Sequence, residues 1–199
     1  MQMEYPIFHF QNVSAAEFVK RWSAEYRRKE KPVVRGLYNQ NMAIRPCTEE
    51  SITNLLHWKN GSTFKGRFSG QKAKLVKEIV GKLEVVNQLE AQWDDQLFKE
   101  QLRPDNNGPI WKLFLLHVIQ PAIFPIFDQH VYRAQIYLQT TNIVELSKTR
   151  KSRFNLFIND FMPLFNELKK ETKASVKEVD EAMWAFGKFL KVNKQLIEA

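Results

Sequence analysis

Asp128 is the residue of this chain best placed to do chemistry. It follows a stretch broken by Pro121 and Pro125, and it opens a helical pattern in which His130, Val131 and Arg133 come next. A carboxylate held at a helix start can act in two ways. It can accept the backbone N–H groups that the first turn leaves unpaired, as an ordinary N-cap. It can also stabilise positive charge developing on a bound reactant, and orient or activate water. His130 and Arg133 stand at i and i+3, on one face that could approach a nucleic-acid backbone or pair with acids of a neighbouring helix. Upstream, Trp111, Phe114 and His117 lie on the apolar run that leads to Asp128. They read either as core, or as an aromatic that stacks on an extruded base with an imidazole that bonds its edge.

Charge offers a second set of candidates. The 199-residue chain carries a formal net charge of +8, and the excess is concentrated. Lys59, Lys65, Arg67, Lys72, Lys74, Lys77 and Lys82 stand against the one acid Glu78, and Lys148, Arg150, Lys151 and Arg153 form a second cluster with no acid. Both suit a polyphosphate, because neutralised phosphates release counterions and affinity then falls steeply with salt. The alternative is a solvated basic face that serves solubility. The single cysteine, Cys47, cannot close an intramolecular disulfide, and four scattered histidines make no metal-ligand spacing, so neither metal nor cofactor is expected. No window has the length of uncharged apolar residues that a membrane span needs, and the N-terminus lacks the regions of a signal peptide. A cytoplasmic protein is expected, nucleoid-associated in a prokaryote.

The elements that must position these residues read as helices. Ser14 and Glu17 form a capping box that opens a helix to about Lys29 with Phe18, Val19 and Trp22 inward, and Pro32 ends it. Thr48 caps a short helix carrying Ile52, Leu55 and Leu56, which Gly61 should terminate in the left-handed conformation. Gly61, Gly66 and Gly70, among Ser62, Thr63 and Ser69, mark a flexible loop. From Gln71 to about Glu100 the apolar residues recur at three- and four-residue steps, predicting one long helix or two broken near Gly81 or Asn87. Arg103 to Pro109 is a turn, and Ile110 to Gln120 is a helix apolar nearly all round, hence buried. Residues 129 to about 140 form the next helix. Ser152 to Thr172 forms another, kinked at Pro163, and a second capping box at Ser175 and Glu178 opens the terminal helix. No alternating strand stands out beyond a short candidate piece at 7 to 10, so the fold class is all-α.

The order turn, buried helix, Pro-bounded break, then an Asp opening a new helix resembles the core of the helix-hairpin-helix DNA glycosylases. Their Asp-x-His-Val/Ile-x-Arg segment is matched by Asp128, His130, Val131 and Arg133. The resemblance covers 71 to 138 as a central lobe, with 1 to 60 and 139 to 199 packing as the second lobe of a two-lobed helical fold. Asp180 to Lys188 is similar to the closing helix of small relatives of the 8-oxoguanine glycosylases. The resemblance implies duplex DNA as partner and a carboxylate, Asp128, that stabilises the sugar cation formed when an N-glycosidic bond breaks. The hairpin departs from the family's Leu-Pro-Gly-Val-Gly: Leu102 to Gly108 keeps the leucine, a proline and the final glycine, but has lost the first glycine and gained Asp105. Asn107 and Gly108 are the positions left to meet a phosphate there. The lysine of bifunctional members is replaced by Ile110, and Lys112 lies about 200° further round the helix, so the resemblance implies base release without strand cleavage. Two other readings stand beside it: a non-catalytic module of the same fold that binds DNA or a protein partner, and an acid–base enzyme on a small molecule, for which no second carboxylate is placed near Asp128.

Overall fold

The structure, a computed structural model, describes residues 11–29, 32–61, 68–103, 108–147 and 152–197, and every regular element among them is a helix. In chain order the first are α1 (Ala15–Lys29), α2 (Pro32–Met42), α3 (Glu49–Lys59), α4 (Gly70–Val80), α5 (Leu83–Ala91), α6 (Asp95–Leu102) and α7 (Pro109–Ile119). There follow α8 (Gln129–Thr140), a short α9 (Arg153–Asn155) running into a π-helical segment (Leu156–Phe161), α10 (Met162–Thr172), α11 (Val176–Val192) and α12 (Lys194–Ile197). The all-α expectation holds. None of these helices is long and apolar enough to cross a membrane. The candidate strand at 7 to 10 lies outside the described residues.

Several boundaries fall where local chemistry puts them. Thr48 and Ser51 satisfy each other's backbone N–H groups at the start of α3, and Gly61 after it takes φ +69. Ser175 and Glu178 form the same reciprocal cap on α11. At α1 half of the expected box is made: Ser14 Oγ accepts from Glu17 N at 3.2 Å, while the Glu17 carboxylate pairs with Arg21. Pro32 starts α2 rather than merely stopping α1, since its missing N–H is no loss in a first turn.

The stretch from 71 to 100 divides into three helices. It breaks at Gly81–Lys82 and again before Asp95, where the Asp94 side chain caps Leu97 N at 2.9 Å. Asn87 breaks nothing. It lies inside α5 and uses its amide on Cys47, accepting from Cys47 N at 2.8 Å and donating to Cys47 O at 3.0 Å. Between Ser152 and Thr172 the structure differs from a kinked α-helix. Pro163 has no N–H and its ring would strike the carbonyl four residues back, and the turn preceding it is widened into the π segment.

The chain divides into two compact units. One comprises the described parts of Met1–Arg28, Asp128–Lys148 and Phe161–Ala199, and the other those of Lys29–Phe127 and Thr149–Asp160. The first, terminal unit holds α1 and α10 to α12 together with Asp128 and α8, and the described residues from 29 to 60 belong with α4 to α7 in the other. In the terminal unit α11 packs on α8, and α1 lays Phe18 and Trp22 against Phe186 at 5.2 and 5.1 Å. In the other unit α7 is the central helix, buried continuously from Lys112 to Ile119 against a core that includes Leu55, Leu56, Val86, Leu89 and Phe98. Five fully buried large side chains leave little room for change in such a core.

Candidate functional site

The turn into α8 is built by Asp128 itself. Its backbone is extended at φ −153, and its Oδ1 accepts from His130 N at 2.8 Å and from Val131 N at 3.1 Å. The carboxylate is therefore pinned to the positive end of a twelve-residue helix. It is half-buried, so the acid is neither sealed in hydrocarbon nor freely solvated.

Behind this turn is a charged brace. Arg133 is fully buried, with 0% exposure, and its guanidinium grips Glu145 from Nε at 2.9 Å and from Nη2 at 2.7 Å to each carboxylate oxygen. Nη1 donates to the Gly187 carbonyl at 2.7 Å and approaches His130 Nδ1 at 3.2 Å. Because a guanidinium can only donate, His130 Nδ1 must be the accepting nitrogen, and the ring is neutral with its proton on Nε2. Burial pushes the His130 imidazole below its ordinary value near 6.5, with the Asp128 charge working against the shift and Arg133, Lys191 and Lys188 adding to it. Gln129 Nε2 reaches the same Glu145 at 2.5 Å, which draws the chain after α8 back onto its first turn.

Gly187 makes this arrangement sterically feasible. A Cβ built on it would lie 1.8 Å from the His130 carbonyl oxygen, so α11 meets α8 backbone to backbone one residue past the Asp128–Gln129 junction. Arg133 had been a candidate for contacting DNA, and the structure corrects that: its charge is consumed inside the terminal unit. Neither Glu145 nor Gly187 was anticipated. A glycine inside the helical run Trp184-Ala185-Phe186-Gly187 costs about 1 kcal/mol against alanine, and that was the available signal of a close approach.

In the other unit, Gly108 takes φ +71 as the N-cap of α7, with Pro109 following at N1. A Cβ there would lie 2.4 Å from Leu75 Cδ2, a side-chain end that can turn away, so it is the left-handed backbone that calls for glycine. Asn107 lies outside the described residues. Lys112 is 1% exposed and its ammonium donates to Glu78 at 2.6 Å. Its charge is tied to α4, in keeping with the reading that it cannot replace a nucleophilic lysine. His117 is committed too: its Nδ1 donates to the Phe124 carbonyl at 2.8 Å and its Nε2 is bonded by the Tyr38 hydroxyl. With both ring nitrogens used within the protein, His117 is not placed to read a base edge. Trp111 is half-buried, edge-on to Phe68 at 5.4 Å, and Trp58 packs between Tyr38 and Phe114.

The basic residues divide in the same manner. Lys72, Lys74 and Lys77 on α4 are exposed; Lys72 donates to Asn60 Oδ1 at 2.6 Å, while Lys74 and Lys77 have no ion-pair partner among the described residues. Lys65, Arg67, Lys148, Arg150 and Lys151 lie outside the described residues. Arg153, grouped with the second cluster, is 8% exposed at the start of α9, so the structure corrects its placement from surface to interior. One further residue is out of the ordinary. Gln135 on α8 is 1% exposed, and neither atom of its amide has a hydrogen-bond partner among the described residues. A buried unsatisfied amide costs roughly 1–3 kcal/mol, so the position is not optimised for stability.

Compared with family models, with curated proteins and with solved structures, the chain matches none of them.

Proposed function

We propose that this protein binds DNA and releases a base from it by hydrolysing an N-glycosidic bond, with Asp128 as the acid beside the reacting sugar. The observation that carries the reading is the half-buried Asp128 carboxylate, pinned through Oδ1 by two backbone N–H groups at the start of a helix. In the proposed step the glycosidic bond breaks with its electron pair leaving on the base, positive charge develops at the sugar, and the fixed carboxylate stabilises it. Water then adds to the anomeric carbon. Its proton is taken up by the Asp128 carboxylate and passed through solvent to the departed base, which leaves a neutral base, a hydroxyl on the sugar and the carboxylate restored. The exposed lysines of α4 support strand binding by neutralising phosphates. A Schiff-base route is no part of the proposal, because Ile110 stands at the nucleophile's position and Lys112 is held by Glu78.

Asp128→Asn is the discriminating variant, since asparagine caps a helix about as well as aspartate and the fold should persist. Base release from a panel of damaged and mismatched duplexes should fail in the variant while duplex affinity is retained. Equal release by both proteins would refute the role of the carboxylate.

A second reading, a module of similar architecture that binds DNA without acting on it, is favoured by one group of observations. Arg133 and His117 are bonded inside the protein and Arg153 is buried, so few groups remain to shape a base pocket. Duplex binding with steep salt dependence and no base release from any substrate would select it.

A further inference from the structure

The terminal unit contains a concavity of about 320 Å³ where α1 faces the junction of α10 and α11. Lys20, Ser23 and Arg27 from α1, Thr172 and Lys173 from the end of α10, and Glu178 from the first turn of α11 line it. None of these residues belongs to the basic clusters legible in the sequence, because they come from segments almost 150 residues apart.

Three cations meet one acid on this wall, and their states differ. Arg27 is preorganised: its Nε donates to the Ser23 carbonyl at 3.2 Å, its Nη2 to Ser23 Oγ at 2.9 Å, and Glu181 lies 3.2 Å from Nε. Ser23 and Glu181 are 2% and 6% exposed, so the guanidinium is anchored to buried groups. Its Nη1 makes no hydrogen bond among the described residues. Lys20 and Lys173 likewise have neither hydrogen bond nor ion pair there, although both are exposed and both reach the concavity. Glu178 is the one anion on the wall, and its Oε2 accepts from Ser175 N at 3.0 Å and from Ser175 Oγ at 2.8 Å. Those bonds together with the Arg27 charge hold its carboxyl below the ordinary value. It offsets part of the positive charge but makes no ion pair with Lys20 or Lys173 among the described residues. Lys173 is held at φ 55, a left-handed conformation that ends α10 and brings the lysine to the rim.

We infer that this concavity is a phosphoryl-binding site, in which the fixed Arg27 guanidinium and the Lys20 and Lys173 ammonium groups take one phosphate group, singly charged in a strand and up to doubly charged in a monoester. The volume is several times that of one phosphate group, which leaves room for the substituent that carries it. An anchored guanidinium with unused N–H groups suits phosphate geometry, and two mobile ammonium groups add charge without demanding a direction. The phosphoryl group comes either from a nucleic-acid strand, a source that rests on the function proposed above, or from a free phosphomonoester.

Titration of the intact protein with inorganic phosphate, followed by amide chemical shifts, tests the site directly. Saturable shifts at Thr172, Lys173 and Ala174 are expected, with affinity reduced at least about fivefold in a Lys20→Gln/Lys173→Gln double variant. Both lysines are exposed, so the fold should be unaffected, and unchanged shifts elsewhere check that. A duplex arm separates the sources. If the site holds one strand phosphate, the slope of log affinity against log salt should become less negative by about 0.9 in the double variant. Phosphate binding with an unchanged duplex slope assigns a free phosphomonoester and keeps the site. Absence of phosphate shifts together with an unchanged duplex slope overturns it. Failure of the wild-type protein to bind any duplex would instead remove the DNA reading and leave the phosphate titration to decide the site by itself.

Discussion

The first turn of α8 and the outer side of α4 carry similar residue types and put them to opposite use. At α8 a histidine and an arginine that looked like surface contacts are drawn inward. Arg133 makes bonds to Glu145 and Gly187, and His130 is held neutral behind Asp128. On α4 the lysines stay in solvent, two of them without an ion-pair partner among the described residues. Charge at α8 fixes geometry, and charge on α4 stays in solvent. The difference comes from what faces each helix: a backbone carbonyl and a carboxylate approach α8, whereas nothing described lies across from Lys74 and Lys77.

Substitutions can break that contrast from the rigid side first. Gly187→Ala should have the largest effect, because a methyl group 1.8 Å from the His130 carbonyl forces the two helices apart. A loss of at least about 3 kcal/mol is expected in denaturant unfolding, since overpacking of this severity exceeds the ordinary range. Glu145→Ala comes next. It strands the fully buried Arg133 guanidinium, and a loss of about 3 kcal/mol should appear in the same experiment. Gln135→Met moves the other way. Replacing the unpartnered buried amide with an apolar side chain of similar size should stabilise by about 1 kcal/mol, seen as a higher unfolding midpoint.

The pH dependence of stability sharpens the comparison further. His130 has a depressed folded value, so the unfolded chain binds protons more readily and acidification favours unfolding. The His130 contribution should be complete above about pH 6.5 and be lost as pH falls toward the lowered folded value. His57, also lowered by burial, adds to the same trend. Thermal unfolding between pH 7.5 and 5.5 should show a decline that shrinks in His130→Gln. The smallest effect belongs to α4: Lys74→Gln with Lys77→Gln should alter stability by less than about 0.5 kcal/mol while weakening any duplex binding at low salt.

Much of the helical frame was legible because its signals are local. Thr48, Asp128, Ser175 and Glu178 announce their caps through side chains that act within four residues, and Gly61 announces a helix end by having none. Pro32 ends α1 as its missing N–H implies, but its second role, opening α2, is not separable from the first along the chain, because the same restriction of φ that ends one helix can start another. The candidate site was less legible. Arg133 and Lys112 pair with Glu145 and Glu78, twelve and thirty-four residues away, and no pattern along the chain distinguishes a charge awaiting a phosphate from one already matched by a distant acid. The concavity lined by Lys20 and Lys173 was invisible for the same reason, as α1 and the α10–α11 junction come together through tertiary packing alone.

The central claim concerns Asp128, and single-turnover base release from damaged duplexes by wild-type protein and Asp128→Asn tests it most directly. The account predicts measurable release by the wild type and a rate lower by about a hundredfold or more in the variant, with duplex affinity preserved. Release at equal rates, or none from any substrate by the wild type, would contradict it.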